Sequence, residues 1–440
     1  RHLLVFGGVG RIKPAHRRVG MQLALQLGGE LAKFSGNKLI TGRDGGATHR
    51  FTHFKASKAR VRAHRHDDKE GASYPLPQGA LNAQTAHELL SAAMRFAALL
   101  FALACTALAA AEAPFKVQVV VVSMFEVGAD SGDVPGEFQL WVEREKLNRV
   151  IPLPQAYHDV RANADGSMIG IVTGMGNTRS AASIMALGLD PRFDFTQAYW
   201  LVAGIAGIDP ADGTLGSAVW ANSLVEGDLG YEIDAREIPA GWPTGYLPYG
   251  RYEPYAKPRK EDNIGEVYHL QPSLVEWAYQ LTKDTPLDDN PEMLKRRSRY
   301  VGFPNAQRPP FVLKGDNLAS STFWHGKLFN QWANDWVSYH TEGRGNYVTT
   351  AMEDTGTLQA LTWLSRAGKA DVKRVLVLRT ASNFDMQWPG GTALASLSGE
   401  QEGPLGGYLP SVEAAYKIGS RVAHALLNNW DRYATELPKP

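Results

Sequence analysis

Residues 347–356 read YVTTAMEDTG, a short apolar and β-branched run that is followed at once by two carboxylates. Residues such as Val and Thr favour strands, and strands of this kind normally end in turn residues rather than in acids. The position of Glu353 and Asp354 directly after a strand therefore needs an explanation. Each could satisfy free N–H groups at the start of a following helix, or accept hydrogen bonds from a ligand at the end of the strand.

Four other segments show the same pattern of a strand followed by small or polar residues. They cover residues 116–122, 168–172, 199–202 and 374–378. Most of the five strands are followed by a helix-like segment, which is typical of an α/β protein with a mainly parallel sheet. Ligands of such sheets bind at the carboxyl ends of the strands, and all five polar endings fall there.

The composition sets limits on the function. The chain has 440 residues, a formal net charge of +1 and 21% charged residues, enough for one large or two medium domains. Because it has no strong field of either sign, nucleic acid and anionic lipid are not expected partners. Eleven Trp and sixteen Tyr suit a thick core or flat walls for a planar ligand, and core packing is expected for most. Neither a metal nor a cofactor is expected.

Residues 94–111 have the three parts of a secretory signal peptide. A basic Met-Arg start, an apolar run of about a dozen residues and a small-residue site at 109–111 follow one another. We expect cleavage near Ala111 and a secreted, periplasmic chain; a buried core helix is the alternative. The only cysteine, Cys105, would leave with the signal. No later stretch approaches 18 consecutive apolar residues, so no transmembrane segment is expected in the mature chain.

The first 93 residues are expected to be an upstream leader rather than a working domain. Residues 2–42 show a strand, Gly turn, helix, strand rhythm like the opening of a Rossmann-like unit, but Lys13 stands where the last glycine of the fingerprint belongs. A stretch rich in basic residues and His follows, and a half-domain ahead of a signal peptide would prevent export. The globular domain is therefore expected over residues 112–440.

Taken singly, the polar endings are weak signals. Gly174 and Gly176 could form a plain tight turn, and Gly204 and Gly207 could allow close helix packing. Glu126 could be another acid at the start of a helix. The order of the motifs along the chain is more specific than any one of them.

In that order the motifs resemble those of the nucleoside phosphorylase and nucleosidase superfamily. Residues 173–177 (TGMGN), 203–207 (AGIAG), 351–354 (AMED) and 380–383 (TASN) look like its two glycine turns, its Met-Glu ribose motif and its last, purine-facing strand. A longer resemblance, over residues 115–430, is to the purine nucleoside permease family, and it includes the stretches FEVGADSGDVPGE and GDNLASSTFWHG.

This resemblance implies a phosphorylase-like three-layer fold, with a central mixed, mainly parallel twisted sheet flanked by helices. The family name implies transport. A phosphorylase-like chain without a membrane span cannot itself be a permease, so the name is read as a phenotype. The implied partners are purine nucleosides, and a homo-oligomer is left open.

The resemblance also assigns the sugar side of a purine nucleoside site. It implies that Glu353 binds the 2′- and 3′-hydroxyls of ribose, that Met352 packs on the sugar and that Asp354 caps the following helix. The glycine loops would lie near the sugar. Their residues are Thr173, Gly174, Gly176, Asn177, Gly204 and Gly207.

On the base side, the resemblance points to Asn383, where most bacterial relatives have Asp. An Asp can protonate purine N7, whereas Asn can only hydrogen-bond, which suits a 6-oxopurine. Asp385, two residues on, is a candidate for the missing acid. Phe323 and Trp324 look like an aromatic wall for the base, and a buried core pair is the alternative.

The nucleophile separates hydrolysis from phosphorolysis. Related phosphorylases hold phosphate with Arg and Ser around the central glycine turn, where this chain has Val202 and Ile205. Glu126 follows the first strand, where related nucleosidases place the carboxylate that activates water. Hydrolysis is therefore expected, with Glu126 and Asn383 as catalytic residues, although Arg179 could restore phosphate binding if it reached into the site. A non-catalytic periplasmic nucleoside-binding protein is the alternative from another class.

Overall fold

The structure is a computed structural model that describes residues 87–98, 113–256, 266–401 and 407–440. Most of the expected leader (residues 1–86) and most of the expected signal peptide (residues 99–111) lie outside the described residues. The first described range is helix α1, residues 87–98. Among the described helices, none combines the length and the apolar character needed to cross a bilayer.

The remaining described residues form 14 strands and nine α-helices. The strands are β1 (Phe115–Lys116), β2 (Val119–Ser123), β3 (Arg149–Ile151), β4 (Val160–Ala162), β5 (Met168–Val172), β6 (Phe193–Asp194), β7 (Tyr199–Ile208), β8 (Ala218–Glu226), β9 (Gly230–Glu232), β10 (Tyr246–Pro248), β11 (Val267–His269), β12 (Val312–Ala319), β13 (Tyr347–Ala351) and β14 (Val375–Phe384). The helices are α2 (Gln139–Arg144), α3 (Asn177–Gly188), α4 (Pro272–Thr282), α5 (Pro291–Arg297), α6 (Lys327–His340), α7 (Asp354–Arg366), α8 (Ala393–Gln401), α9 (Tyr408–Asn428) and α10 (Trp430–Tyr433).

One large sheet organises the described chain. Its order is β11-β8-β12-β13-β7-β2-β5-β4-β3, and β14 pairs with both β7 and β8. Parallel pairs join β2 to β5 and β7, β12 to β8 and β13, and β14 to β7, and these pairings are longer than the antiparallel ones. Helices flank the sheet, with α9 packed on β7 and β14 and with α3 packed on α7. The predicted α/β class with a mixed, mainly parallel central sheet is confirmed.

Five strands of this sheet close on themselves. β8 pairs with β12, β12 with β13, β13 with β7, β7 with β14, and β14 again with β8. β7 makes this closure possible because its first half pairs with β2 whereas its end pairs with β13. β14 follows β7 along its whole length, with a shift in register between Ala381 and Asn383.

The predicted strand positions hold better than the predicted strand ends. β5 and β13 begin and end within a residue of the prediction. The strands predicted over residues 199–202 and 374–378 continue, β7 to Ile208 and β14 to Phe384. The segments AGIAG and TASN therefore lie inside paired strands and not in turns after them, because each of these two strands keeps the other as a partner beyond the point where its apolar residues end.

The core lies between this sheet and its helices. Residues 119–122 of β2 are fully buried, and so are the central residues of β14. Trp141, Trp200, Trp220 and Trp336 are almost completely removed from solvent. Core packing is therefore the role of these four indoles.

Candidate functional site

A cavity of about 250 Å³ opens where the ring of strands meets the carboxyl ends of β2 and β5. Its walls come from loops after β2, β5 and β12 and from the second halves of β7, β13 and β14. The lining residues are Met124, Phe125, Glu137, Met175, Ile205, Ala206, Gly207, Phe323, Thr350, Ala351, Met352, Glu353, Arg379, Ser382 and Asn383. The motifs that are far apart in the sequence therefore meet at one edge of the sheet.

Glu353 lies at one end of this cavity. It is the residue just before α7, and only 4% of its surface is exposed. Its Oε1 accepts a hydrogen bond from Gly176 N at 3.2 Å, and its Oε2 accepts from Met352 N at 3.2 Å and from Arg379 Nη2 at 3.1 Å. Burial raises the pKa of Glu353, although the charge of Arg379 opposes the shift. The carboxyl group is thus held in place and can still accept a hydrogen bond from a ligand.

Arg379 is a buried cation in the middle of β14 that the sequence analysis missed. Its Nε bonds both carboxylate oxygens of Asp354 at 3.1 Å, its Nη1 donates to Ile205 O at 3.1 Å, and its Nη2 also contacts Glu353 and Asp354. Asp354 accepts a further hydrogen bond from Asn317 Nδ2 at 2.6 Å. A buried charge needs such partners, so the guanidinium is already committed to two carboxylates.

The sequence does contain a pattern that indicates the role of Arg379, namely a charged residue inside an apolar strand. The run reads VLVLRTA, and an isolated Arg at the centre of such a strand indicates a buried acidic partner. The two acids of residues 353–354 provide it. Asp354 therefore does more than begin a helix: it binds the strand that forms the cavity floor.

Glu137 is the second carboxyl group in the cavity and was also missed. It is 3% exposed; its Oε2 accepts from Met124 N at 2.7 Å and its Oε1 accepts from Ile205 N at 2.7 Å. Burial raises the pKa of Glu137 to about 7; the charge of Glu353 adds to the shift, while Arg379 and the two N–H groups oppose it. A carboxyl group with this pKa can take up or release a proton near neutral pH.

Glu126, the base expected from the sequence, does not line the cavity. Its carboxylate accepts hydrogen bonds from Val127 N at 2.8 Å, Phe138 N at 2.9 Å and Gln139 N at 2.6 Å, and also from Gly136 N. These contacts close the loop that leads from β2 into α2. They match the alternative role, an acid that satisfies free N–H groups at the start of a helix.

The first glycine loop supports Glu353 and the start of α7. Gly174 and Gly176 have φ of +81° and +95°, a region that favours glycine, and Gly176 N donates to Glu353. Asn177 Oδ1 accepts from Gly356 N at 3.0 Å, and the hydroxyl of Thr173 donates to Gly174 O at 3.2 Å. These loop residues therefore lie beside the cavity end that holds Glu353.

The second glycine motif forms the cavity floor within β7. A Cβ on Gly204 would lie 2.5 Å from Glu137 Oε1, 2.6 Å from Met124 Cε and 2.7 Å from Arg379 Nη1. A Cβ on Gly207 would lie 3.0 Å from Thr350 Cγ2. Glycine at position 204 thus lets the carboxyl group and the guanidinium approach the same point of the strand.

Asn383 lies at the opposite end of the floor from Glu137. In the pairing of β14 with β7, Arg379 is opposite Gly204 and Asn383 is opposite Gly207. Three residues of strand span about 10 Å, so the charged end and the amide end are roughly that far apart. Asn383 Nδ2 donates to Phe384 O at 3.1 Å and its Oδ1 accepts from Ser382 Oγ at 2.9 Å. One N–H and one lone pair of the amide are left for a ligand.

The remaining base-side candidates separate into two groups. Phe323 lines the cavity and is 53% exposed, whereas Trp324 packs against Trp332 and is buried. Asp385 is fully buried and accepts from Tyr347 OH at 2.5 Å and from Asn330 Nδ2 at 3.2 Å, so it faces away from the cavity lining.

The last three sequence candidates lie around the edge of the site. Met352 lines the cavity beside Glu353. Val202 is buried in β7, where it is a core residue. Arg179 is an exposed residue near the start of α3, outside the cavity lining. Among the described residues, no group of three or more His, Cys, Asp or Glu side chains is placed to hold a metal ion.

Comparison with known proteins adds a family and several relatives. The model of the purine nucleoside permease family matches residues 116–438. A probable purine nucleoside permease of Schizosaccharomyces pombe is 30% identical over 330 residues, which cover 72% of this chain and 90% of the relative. A purine nucleoside permease of Candida albicans is 28% identical over 324 residues, which cover 72% of this chain and 77% of the relative.

Solved structures with a similar chain course include two hydrolases. The 5′-methylthioadenosine/S-adenosylhomocysteine nucleosidase of Neisseria meningitidis is 13% identical with a TM-score of 0.41, covering 71% of this chain and 100% of that one. The futalosine hydrolase of Helicobacter pylori is 13% identical with a TM-score of 0.41, and the similarity covers 70% of this chain and 99% of that one. These similarities assign no role to individual residues of this chain.

Proposed function

Because the chain belongs to the purine nucleoside permease family, we propose that its cavity binds a purine nucleoside and hydrolyses the N-glycosidic bond in support of nucleoside uptake. The observation that carries this proposal is the arrangement of the cavity. Two buried carboxyl groups, Glu137 and Glu353, lie at one end, and the amide of Asn383 lies about 10 Å away at the other. A nucleoside has the same division into a hydroxylated end and a planar, amide-like end.

In this proposal Glu353 accepts hydrogen bonds from the 2′- and 3′-hydroxyls of ribose. Arg379 and Gly176 hold its carboxylate from behind, which fixes its direction before a ligand arrives. Met352 provides an apolar contact for the sugar ring. A fixed acceptor costs less ordering on binding than a mobile one, so this arrangement favours the ribose over sugars without the vicinal diol.

The base lies between Phe323 and Asn383 in the same proposal. Phe323 offers an exposed aromatic face for stacking. Asn383 has one free N–H and one free lone pair, which match the carbonyl oxygen and the N–H of a 6-oxopurine. We therefore expect inosine and guanosine to be better substrates than adenosine.

Glu137 takes the role that the sequence analysis gave to Glu126. As a general base it would accept a proton from water while the water oxygen bonds to C1′ of the sugar and the C1′–N9 bond breaks. The bonding electrons leave with the base, which is then protonated from solvent, and the products are ribose and the free purine. The pKa of about 7 suits this role, because the proton acceptor is then available near neutral pH.

The same site is unfavourable for phosphate. Arg379 is the cation of the cavity lining, and both Glu353 and Asp354 already offset its charge. A phosphate dianion would also approach Glu137, and at an effective dielectric of about 20 two unit charges roughly 4 Å apart repel each other by about 4 kcal/mol. Water has no such penalty, so hydrolysis is preferred over phosphorolysis.

Nucleoside cleavage should therefore not depend on phosphate. We expect purified protein to convert inosine to hypoxanthine and free ribose at the same rate without phosphate and with phosphate added to tens of millimolar. The measurement is the initial rate together with chromatographic identification of the sugar. A rate that vanishes without phosphate, with ribose 1-phosphate as the product, would overturn the hydrolase proposal.

A nucleoside-binding protein without catalytic activity is the second candidate. The family name implies transport, and among the described helices none can span a bilayer, which together favour a protein that captures nucleoside for another component. It would need Glu353, Asn383 and Phe323 but not a titrating Glu137. Saturable inosine binding without any release of hypoxanthine would favour this candidate.

The proposed function includes export of the protein to the periplasm. The basic start, apolar run and small-residue site of residues 94–111 support cleavage near Ala111 and a periplasmic location. We expect N-terminal sequencing of the exported protein to begin near Glu112. Exported protein that still carried residues from before Met94 would contradict this.

A further inference from the structure

A second cavity, separate from the proposed nucleoside site, has an aromatic and acidic lining. Its volume is about 270 Å³, and it lies between the end of β8, the β9–β10 hairpin, the loop after β12 and one side of α6. The volume is similar to that of the proposed nucleoside site and near the lower limit of about 300 Å³ for ligand pockets, so we expect an occupant no larger than a nucleoside. Nothing in the proposed nucleoside chemistry uses this cavity.

Aromatic rings form most of the wall. Trp332 contacts three of these rings. The distances between ring centroids are 4.8 Å to Tyr246, 5.9 Å to Trp324 and 6.1 Å to Phe329, and the angles between the ring planes are 39°, 86° and 83° in the same order. At these distances the rings pack directly against one another, tilted or edge to face, and together they form one aromatic wall of the cavity. A wall of this kind offers aromatic contact to a small group in the cavity.

Acidic groups lie at the same cavity. Asp228 and Glu232 line it and are exposed, and among the described residues of its lining none carries a positive charge. Glu232 Oε1 accepts a hydrogen bond from Tyr246 OH at 3.1 Å. Burial raises the pKa of Tyr246 to about 12, and the charge of Glu232 adds to the shift.

From these features we propose that the second cavity binds a small organic cation, with a methylated ammonium group as the type that fits best. Aromatic faces attract such a cation through their quadrupoles, and its methyl groups make apolar contact with the rings of the wall. Asp228 and Glu232 supply the opposite charge at the opening. A neutral ligand would gain only the apolar contact, and an anion would be repelled.

The site lies next to the nucleoside cavity without sharing its lining. Ser320, Thr322 and Trp324 face the cation cavity, whereas Phe323 lines the nucleoside cavity. Residues 320–324 thus contribute to both walls, and Asp228 holds the start of this segment by accepting from Ser320 Oγ and Ser321 N, each at 2.7 Å. Binding at the two cavities can therefore be measured independently with different ligands.

The test is isothermal titration of the full chain with choline and with its uncharged isostere 3,3-dimethylbutan-1-ol. We expect saturable choline binding that is at least about tenfold tighter than binding of the alcohol. Glu232→Gln should weaken the binding of choline by about threefold and leave the binding of the alcohol unchanged, because Glu232 is exposed and acts through its charge. Trp332→Phe keeps a ring in place and should also weaken choline, since Trp is the strongest cation–π partner.

Three outcomes would overturn the proposal. Choline binding that does not saturate at tens of millimolar, equal affinity for choline and the neutral alcohol, or displacement of choline by inosine would each contradict a separate cation site. Circular dichroism of both variants distinguishes lost binding from lost folding, and Glu232→Gln carries the test if Trp332→Phe does not fold.

Discussion

Glu137→Gln is expected to lower kcat for nucleoside hydrolysis by about 10²- to 10⁴-fold, the usual contribution of a general base. The substitution keeps the size of the side chain and one oxygen that can accept from Met124 N or Ile205 N. It removes the ability to take a proton from water and one of the two backbone hydrogen bonds, because an amide NH2 group cannot accept. Binding of inosine, measured by titration, should change little, because the sugar and base contacts are made by other residues.

Glu126→Gln is the matched control. The carboxylate of Glu126 accepts four backbone hydrogen bonds in the loop before α2, so the amide should lower the melting temperature and leave kcat nearly unchanged. The opposite result, with turnover lost in Glu126→Gln and kept in Glu137→Gln, would return the base to Glu126. Equal turnover in both variants would favour a role for these acids in folding alone.

The pH dependence of the rate is a second readout for Glu137. A general base acts in its deprotonated form, and burial raises the pKa of Glu137 to about 7. In the wild-type protein kcat/KM should therefore rise as the pH increases through 7 and level off above it. The residual rate of Glu137→Gln should lack this rise, whereas a residue with only a structural role would leave the profile unchanged.

The strands, the sheet type and the place of the cavity could be predicted from the sequence. Strand periodicity and polar strand ends are local signals, and the carboxyl ends of parallel strands meet at one edge whatever the details of packing. The ring of five strands could not be predicted. It depends on β14 pairing with both β7 and β8, a contact between distant segments that leaves no local pattern.

At two places the sequence could not tell which of two similar side chains faces the cavity, and the physical cause is the same. Glu126 and Glu137 lie eleven positions apart in the loop between β2 and α2, and only the folded path of that loop decides which carboxyl group points inward. Trp324 and Phe323 are adjacent, so alternation along the chain sends one ring into the core and the other into the cavity. Residue type suggested the chemistry in both cases, and the three-dimensional path assigned the direction.

Glu353→Ala is expected to weaken ribonucleoside binding by on the order of 2 to 4 kcal/mol, or about 30- to 1,000-fold, because a charged acceptor is removed from a buried diol. The loss should be smaller for 2′-deoxyinosine, which offers one hydroxyl fewer. The measurement is titration of the variant and of the wild-type protein with inosine and with 2′-deoxyinosine.

The control for this prediction must separate the sugar contact from the ion pair with Arg379. Asp354→Asn serves this purpose, because Asp354 is bonded to Arg379 and Asn317 but does not line the cavity. It should lower the free energy of unfolding, because the buried guanidinium loses part of the negative charge that offsets it. It should also weaken the binding of inosine and of 2′-deoxyinosine by the same factor. Glu353→Ala should instead affect inosine more than 2′-deoxyinosine. Equal losses for the two ligands in Glu353→Ala would mean that Glu353 acts on the cavity through Arg379, and that the ribose is anchored elsewhere.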